Sequence, residues 1–260
     1  MTTEQRLPIS VCIIAGNEAR RIRRALESVA GWAGEIIVVL NDDVNDGTDK
    51  IAETFGAKIF REPWKGHVAQ KNSADAKAAH PWILGLDADE EVSPALRDEI
   101  RQAVAGPGAN AAFCFPRCSF YCGRWIRHGD WYPDRQTRLW QKGRAHWGGI
   151  DPHDKLLVDG PVGRLRHDLL HHTFETINFQ ITKTVLYADD FVRHCAAQGK
   201  TAGFLDLLVR PAWRFWRGYL LRLGFLDGWQ GFTIAWLTAF YTFLRYVKVR
   251  EAQLPKNLSP

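Results

Sequence analysis

Four short apolar runs recur in the first ninety residues, each followed by a segment with helical spacing, and this alternation restricts the available folds more than any other feature. Residues 9–14 (Ile-Ser-Val-Cys-Ile-Ile) read as a strand buried on both faces. Behind them Ile22, Leu26 and Val29 recur at the period of a helix. The second run is residues 35–40, the third 57–60 and the fourth 82–86, with helices predicted over 49–55 and roughly 68–79. Strand–helix repeats of this length need right-handed crossovers and give an α/β fold, a mostly parallel sheet flanked by helices. Such sheets bind ligands beyond the carboxyl ends of their strands. Three polar clusters fall there: Asn17-Glu18, residues 41–46, and residues 87–91.

The rest of the chain reads differently. Residues 111–172 are rich in Gly, Arg, His and Trp and read as irregular, longer than a simple connector and suited to an acceptor site or lid. From about Phe174 the pattern turns helical, and Pro211 is expected to open a new helix. The organisation predicted is a catalytic domain over residues 1–173 and a helical extension over 174–260. With 260 residues, 46% of them apolar and 24% charged, a disordered or collagen-like chain is excluded. Of the five cysteines, Cys12 sits within an apolar run, and Cys114, Cys118 and Cys122 are spaced like a metal string without a matching fourth ligand. Reduced, packed thiols are the expectation.

The acidic run Leu86-Asp87-Ala88-Asp89-Glu90 carries the most chemistry. Two carboxylates two residues apart at the end of a buried strand repel unless a cation lies between them. A hard divalent ion that also takes phosphate oxygens satisfies that need, whereas a solvated acidic turn is the plain alternative. G-x-G-x-x-G, G-x4-G-K-[ST], H-E-x-x-H and G-x-S-x-G are all absent, which disfavours dinucleotide, P-loop, zinc-protease and α/β-hydrolase chemistry.

Ile9-Ser-Val-Cys-Ile-Ile-Ala-Gly-Asn-Glu18, Glu35-Ile-Ile-Val-Val, Asp46-Gly-Thr48, Gln70-Lys-Asn72 and Leu86-Asp-Ala-Asp-Glu90 together resemble a family 2 glycosyltransferase of GT-A (Rossmann-like) fold. The resemblance runs on through residues 131–140, His153-Asp154-Lys155, residues 163–167 and residues 224–229, so it covers nearly the whole chain in order. The group it resembles most is the small bacterial enzymes that add a sugar, often glucose, to the inner core of lipopolysaccharide.

That resemblance implies a nucleotide-sugar donor, expected to be a UDP-sugar, and Mg2+ or Mn2+ as cofactor. Asp87 would contact the ribose or base side of the nucleotide, with Asn17, Glu18 and Ala88 around it. Asp89 would hold the metal on the diphosphate, and His171 aligns with a later histidine that often completes the metal site. Asp154 takes the position of the catalytic base in an inverting displacement, with Asp151 as its rival; the commoner pairing there is His-Glu. Asn41 stands where relatives carry an acidic residue for the base of the nucleotide, a task open also to Asp42 or Asp43. Lys71 is expected on phosphate or base. Gln136-Thr-Arg138-Leu-Trp140 is similar to a Q-x-x-R-W signature, and Arg138 and Arg135 are expected on diphosphate or an anionic acceptor.

Charge is uneven. Residues 1–110 hold 13 basic against 17 acidic side chains, whereas residues 201–260 hold 8 against 3 together with 13 of the 31 aromatic residues. On a helical wheel Trp213, Trp216, Leu220 and Leu223 form a stripe beside Arg214 and Arg217, a pattern suited to a surface of anionic lipid. The longest apolar run, residues 231–244, is too short to span a bilayer, so it should lie in the interface, pack on the catalytic domain or form a homo-oligomer contact. Nucleic acid explains the charge less well, because the basic residues follow an apolar stripe. The first ten residues lack a secretory signal, so a cytoplasmic enzyme, peripheral on the inner face of the cell membrane, is expected to meet a lipid-linked saccharide acceptor. The rival readings are a polyprenyl-phosphate glycosyltransferase and a catalytically inactive membrane-associated scaffold of the same fold.

Overall fold

A computed structural model describes residues 6–150, 153–174 and 176–254. In chain order the elements are β1 (Leu7–Ala15), α1 (Ile22–Ala30), β2 (Ala33–Asn41), α2 (Thr48–Thr54), β3 (Lys58–Glu62), α3 (His67–Ala76), β4 (Trp82–Asp87), β5 (Glu90–Val92) and α4 (Pro94–Ala105). There follow β6 (Ala112–Tyr121), β7 (Arg124–Ile126), β8 (Asp134–Gln141), β9 (Ala145–Ile150), β10 (His153–Val158), β11 (Val162–Arg164), β12 (Leu169–Phe174), α5 (Ile177–Ala197), α6 (Phe204–Trp216) and α7 (Gly228–Glu251). The described residues fall into two compact units: those up to 117 with 134–171, and 118–133 with those from 172 onward.

The first unit is built on the predicted parallel core. β1 pairs in parallel with β2 on one side and β4 on the other, and β3 runs parallel to β2. Alternation along β1 explains why both faces are apolar. Ile9, Val11 and Ile13 join Leu26, Leu84, Leu96 and Ile100 on one face, while Cys12 joins Ile37, Val39, Ile83 and Trp140 on the other. Helix α1 buries Ile22, Leu26 and Val29, which the sequence marked, together with Ala25, completing an i, i+3, i+4, i+7 stripe. Each such Ile or Leu contributes about 2 kcal/mol of transfer free energy. Ser93 caps α4 by accepting the Leu96 N–H at 3.2 Å, and Pro94 follows where a missing N–H costs nothing.

Residues 111–172 are not the irregular segment expected. They form β6 to β12, with β8 antiparallel to β4, β6 antiparallel to β8, and β9 and β10 paired as a hairpin. The register of β6 against β8 shifts between Phe113 and Cys114, and Pro116 interrupts the strand's propensity, so no steady alternation marks it in the sequence. β5 pairs antiparallel with β12, setting His171 opposite Glu90.

In the second unit β7 folds back on the end of β6, matching Phe120 with Trp125. Asp227 accepts the backbone N–H groups of Arg127 (3.0 Å) and His128 (2.8 Å), fastening that turn to the start of α7. Pro211 does not open a helix: it lies inside α6, which starts at Phe204 because the Asp206 carboxylate accepts the Gly203 N–H at 2.9 Å. The helix runs on through Pro211 without the N–H that a proline lacks. After α6 a π-helical turn, Arg217–Leu221, widens the backbone. The tryptophans of this region face outward: Trp213, Trp216, Trp229 and Trp236 are 54%, 53%, 55% and 60% exposed. No helix among the described residues is long and apolar enough to cross a membrane.

Candidate active site

Most of the site residues singled out in the sequence lie in the first unit, around the carboxyl ends of β1, β2 and β4. The β1–β4 register sets Asp87, the last residue of β4, beside Ile14. Two residues earlier on the same face is Gly85. A Cβ there would stand 3.1 Å from both Trp140 and Trp147, so glycine is what lets the edge-to-face Trp140–Trp147 pair lie across β4.

Asp87 is held by two cations from different elements. Lys71, from α3, places Nζ 3.1 Å from Asp87 Oδ1, and Arg138, from β8, donates to Oδ2 at 2.5 Å. Burial by itself would raise the Asp87 carboxyl, but Arg138 and Lys71 outweigh it and hold that group well below the usual carboxylate range. Burial disfavours the charge of Arg138 in turn, and Asp87 and Glu90 more than restore it. The same Lys71 Nζ lies 2.9 Å from Asp154 Oδ2 on β10, and both cations face the Trp147 ring, at 4.4 Å for Lys71 and 5.5 Å for Arg138. Beneath them Glu90, wholly buried, accepts from Arg138 and Arg117 (both 3.1 Å) and from the Asp87 N–H at 3.0 Å. One buried carboxylate thus sets the geometry of the whole turn after β4.

A second group forms around Asp89 in that turn. Its Oδ2 lies 3.5 Å from His171 Nε2 and 3.6 Å from the Arg21 guanidinium, which reaches Glu18 at 2.9 Å. No cluster of three or more His, Cys, Asp or Glu suited to a metal occurs among the described residues. A carboxylate and an imidazole fit a hard cation whose other positions are filled by diphosphate oxygens and water.

The acidic loop after β2 is partly spent on structure. Asp46 accepts from the Ala19 N–H (2.9 Å), the Thr48 N–H (3.0 Å) and the Thr48 hydroxyl (2.6 Å), while Asn17 Oδ1 accepts the Asn45 N–H at 3.1 Å. These bonds tie the loop after β1 to the start of α2. Asn41 keeps its amide oxygen buried with no hydrogen-bond partner, and its nitrogen lies 3.6 Å from where a Cβ on Gly16 would be. Asp43 is exposed on the loop, and Ala88 is buried between Asp87 and Asp89. Arg135 donates to the Leu165 carbonyl at 3.3 Å, away from the Asp87 group. Asp151 lies outside the described residues. Sequence reasoning did not single out Arg117 or Trp147, nor the hub role of Glu90; the only signal for the last was its place in the acidic run.

The whole chain is similar to known transferases. The family described as glycosyl transferase family 2 matches residues 10–158. An uncharacterized glycosyltransferase of Rickettsia felis is 32% identical over 257 residues, which is 95% of this chain and 90% of that one. The lipopolysaccharide core biosynthesis glycosyltransferase LpsC of Rhizobium meliloti is 27% identical, over 95% of this chain and 93% of its own. Among solved structures, a mannosyltransferase of Pyrobaculum calidifontis in complex with GDP-Man and Mn2+ superposes with a TM-score of 0.56 at 13% identity, over 97% of this chain and 89% of that one, a likeness of fold. With that fold and that family match over most of the sheet carrying the site, the chain belongs to glycosyl transferase family 2.

Proposed function

We propose that the enzyme moves a hexose, glucose before others, from a UDP-sugar to a core saccharide of lipopolysaccharide, with inversion and with Mg2+ or Mn2+ bound. The observation that carries the reading is the convergence of Asp87, Lys71, Arg138 and Asp154 beside the Asp89–His171 pair. The acceptor class is supported by the relative LpsC, named for lipopolysaccharide core biosynthesis.

In this reading Asp87, already ionised, binds the ribose, and Asn41 offers the base an amide whose oxygen lacks a partner within the protein. Asn17 and Glu18 shape the floor by which the nucleotide enters, with Asp43 at its rim. Asp89 and His171 would hold the divalent ion. Such an ion, when bound, neutralises charge developing on the nucleoside diphosphate leaving group. Arg138 and Lys71 supply further positive charge that is preorganised by Glu90 and Trp147.

Asp154 accepts the proton of the acceptor hydroxyl. The Lys71 ammonium occupies Asp154 Oδ2 at 2.9 Å, so that contact must loosen before the acceptor hydroxyl can reach the same oxygen. Donor phosphates compete for the same ammonium, which would free the base only once the donor is in place. The division of the chain follows: residues 1–173 bind donor and catalyse, and residues 174–260 keep the enzyme at the membrane surface where a lipid-linked acceptor is exposed.

The test is transfer and donor affinity in two variants. Asp154→Asn should lower turnover roughly a hundredfold or more, the usual worth of a general base, with donor affinity changed only a few fold. Asp89→Ala should remove metal-dependent donor binding, read by calorimetry with and without Mn2+, while leaving thermal unfolding near the parent's. Unchanged turnover in Asp154→Asn would indicate an acceptor that is already ionised, such as a lipid phosphate, and would overturn the saccharide reading.

A further inference from the structure

The second unit contains a cluster of charge that donor chemistry does not use. Asp130, only 8% exposed at its side chain, faces three guanidiniums: Arg217 at 2.8 Å, Arg214 at 3.4 Å and Arg222 at 3.5 Å. One carboxylate against three arginines leaves two positive charges unmatched. Neither Asp130 oxygen has a partner of hydrogen-bond geometry, and the Nε atoms of Arg214, Arg217 and Arg245 are buried without a partner. Burial and the repulsion of Arg217, Arg245 and Arg222 leave Arg214 below its ordinary value despite Asp130.

The backbone around this cluster is built for close approach. Gly129, at φ +79, donates its N–H to the Arg222 carbonyl at 2.8 Å. A Cβ on Gly224 would meet the Gly218 carbonyl at 2.6 Å, and one on Gly231 would meet the Gly224 carbonyl at 1.9 Å. Those close approaches set the π turn beside Asp130, where a cavity of about 10 Å³, room for one water, has Arg214 and His128 at its wall, while Arg217 and Arg222 face Asp130 from outside it. Beside it Trp213, Trp216 and Leu221 are more than half exposed.

We propose that Arg214, Arg217 and Arg222, spaced by Asp130, form a binding site for a phosphate group. Guanidiniums offer paired donors that match phosphate oxygens, and a bound anion supplies the charge that Asp130 alone cannot. Two sources carry that chemistry: the headgroup of an anionic lipid, and a phosphate on a soluble saccharide. The neighbouring exposed tryptophans match the first. The site stands apart from the donor reading, since none of its residues belongs to the Asp87 or Asp89 groups.

The full-length protein is tested with inorganic phosphate, against chloride at matched ionic strength, for a thermal shift, and with phosphatidylcholine vesicles with and without phosphatidic acid for flotation. Phosphate should raise Tm, and phosphatidic acid should recruit the protein if the source is lipid. In R217Q/R222Q both responses should weaken by roughly fivefold per arginine removed. R250Q, which removes a charge from the exposed end of α7, should change neither by more than about twofold. A thermal shift without recruitment supports the site and assigns it a soluble phosphate; recruitment alone supports it with a lipid. No response to either probe, or equal weakening in R250Q, overturns the proposal. Should R217Q/R222Q fail to fold, arginine modification by phenylglyoxal on the wild-type protein decides: phosphate must protect Arg214, Arg217 and Arg222 but not Arg250.

Discussion

Asp75 shows how far a single side chain's behaviour departs from what its letter implies. It sits on α3 one turn beyond Lys71, and burial, which outweighs hydrogen bonds from Trp147 and Cys12 and the charge of Lys71, pushes its carboxyl up to about 7. A carboxyl of ordinary value 3.8 in the unfolded chain therefore carries a proton in the folded protein that the unfolded chain lacks, across the interval between the two values. Its contribution is fully present below the lower value and is lost as pH rises toward 7, so stability should fall by up to a few kcal/mol between about pH 5 and pH 8. Glu35 and Glu62, held near 2 (Glu35 despite its burial) by lysine and serine hydrogen bonds, lose their contribution as pH falls below 4.5, and so leave that interval flat. Urea unfolding at the two pH values should show the slope in the wild type and little of it in Asp75→Asn; equal slopes in both would sink the assignment. The strand-end carboxylates Asp87 and Asp89 were legible because two like charges at the end of an apolar run demand a partner. Asp75 and Trp147 were not, since their roles depend on contacts between α3 and β9, such as Asn72 with Trp147, 75 residues apart, for which no local pattern exists.

At the scale of the element, β4 carries the site, and its tolerance is set by packing on one face. Gly85→Ala would bring a methyl against two indole rings that lean on each other, and neither ring can rotate away without disturbing the Lys71 and Arg138 contacts on Trp147. Overpacking of this kind costs about 1–3 kcal/mol. The expected outcome is a lower Tm together with weaker donor binding, measured by calorimetry; a variant that loses stability with donor affinity intact would show that Trp147 does not support the cations. The parallel strands could be read from sequence because β1, β2 and β4 are buried and spell that out as nearly continuous apolar runs, while the more exposed β3 is marked by its place in the alternation, and the structure moves their ends by only a residue or two, as in residues 9–14 becoming Leu7–Ala15. The strands β6 to β12 could not. β8, β11 and β12 pair with distant strands, and polar residues such as Arg135, Gln136 and Arg138 lie within β8 because they serve ion pairs and carbonyls, not because the segment is a loop. Pro211 misled for the opposite reason: a local rule about helix starts was applied to a residue that lies eight positions after the N-cap Gly203.

For the molecule as a whole, charge and aromatic content divide along the chain, with acidic excess in residues 1–110 and basic, Trp-rich character in the last sixty residues. The wheel stripe of Trp213, Trp216, Leu220 and Leu223 lies on the outside, each member at least 43% exposed. An apolar stripe flanked by arginines is expensive to leave in water, and two coverings are on offer, a membrane surface and a second copy of the chain. They differ in what charge does. A membrane rich in anionic lipid is attracted by the arginines, whereas an isologous contact would set like charges face to face and gain from added salt. The membrane is therefore the favoured covering. Burying a Trp side chain in the interface contributes about 2 kcal/mol, so Trp213→Ser with Trp216→Ser should reduce flotation with anionic vesicles by at least about a hundredfold. Because both side chains are already exposed, thermal unfolding should stay within about 1–2 °C of the parent's. Light scattering separates the alternatives: if the wild type is a dimer that the double variant dissolves into monomers, with vesicle binding unchanged, the stripe is a contact between copies and the membrane assignment fails.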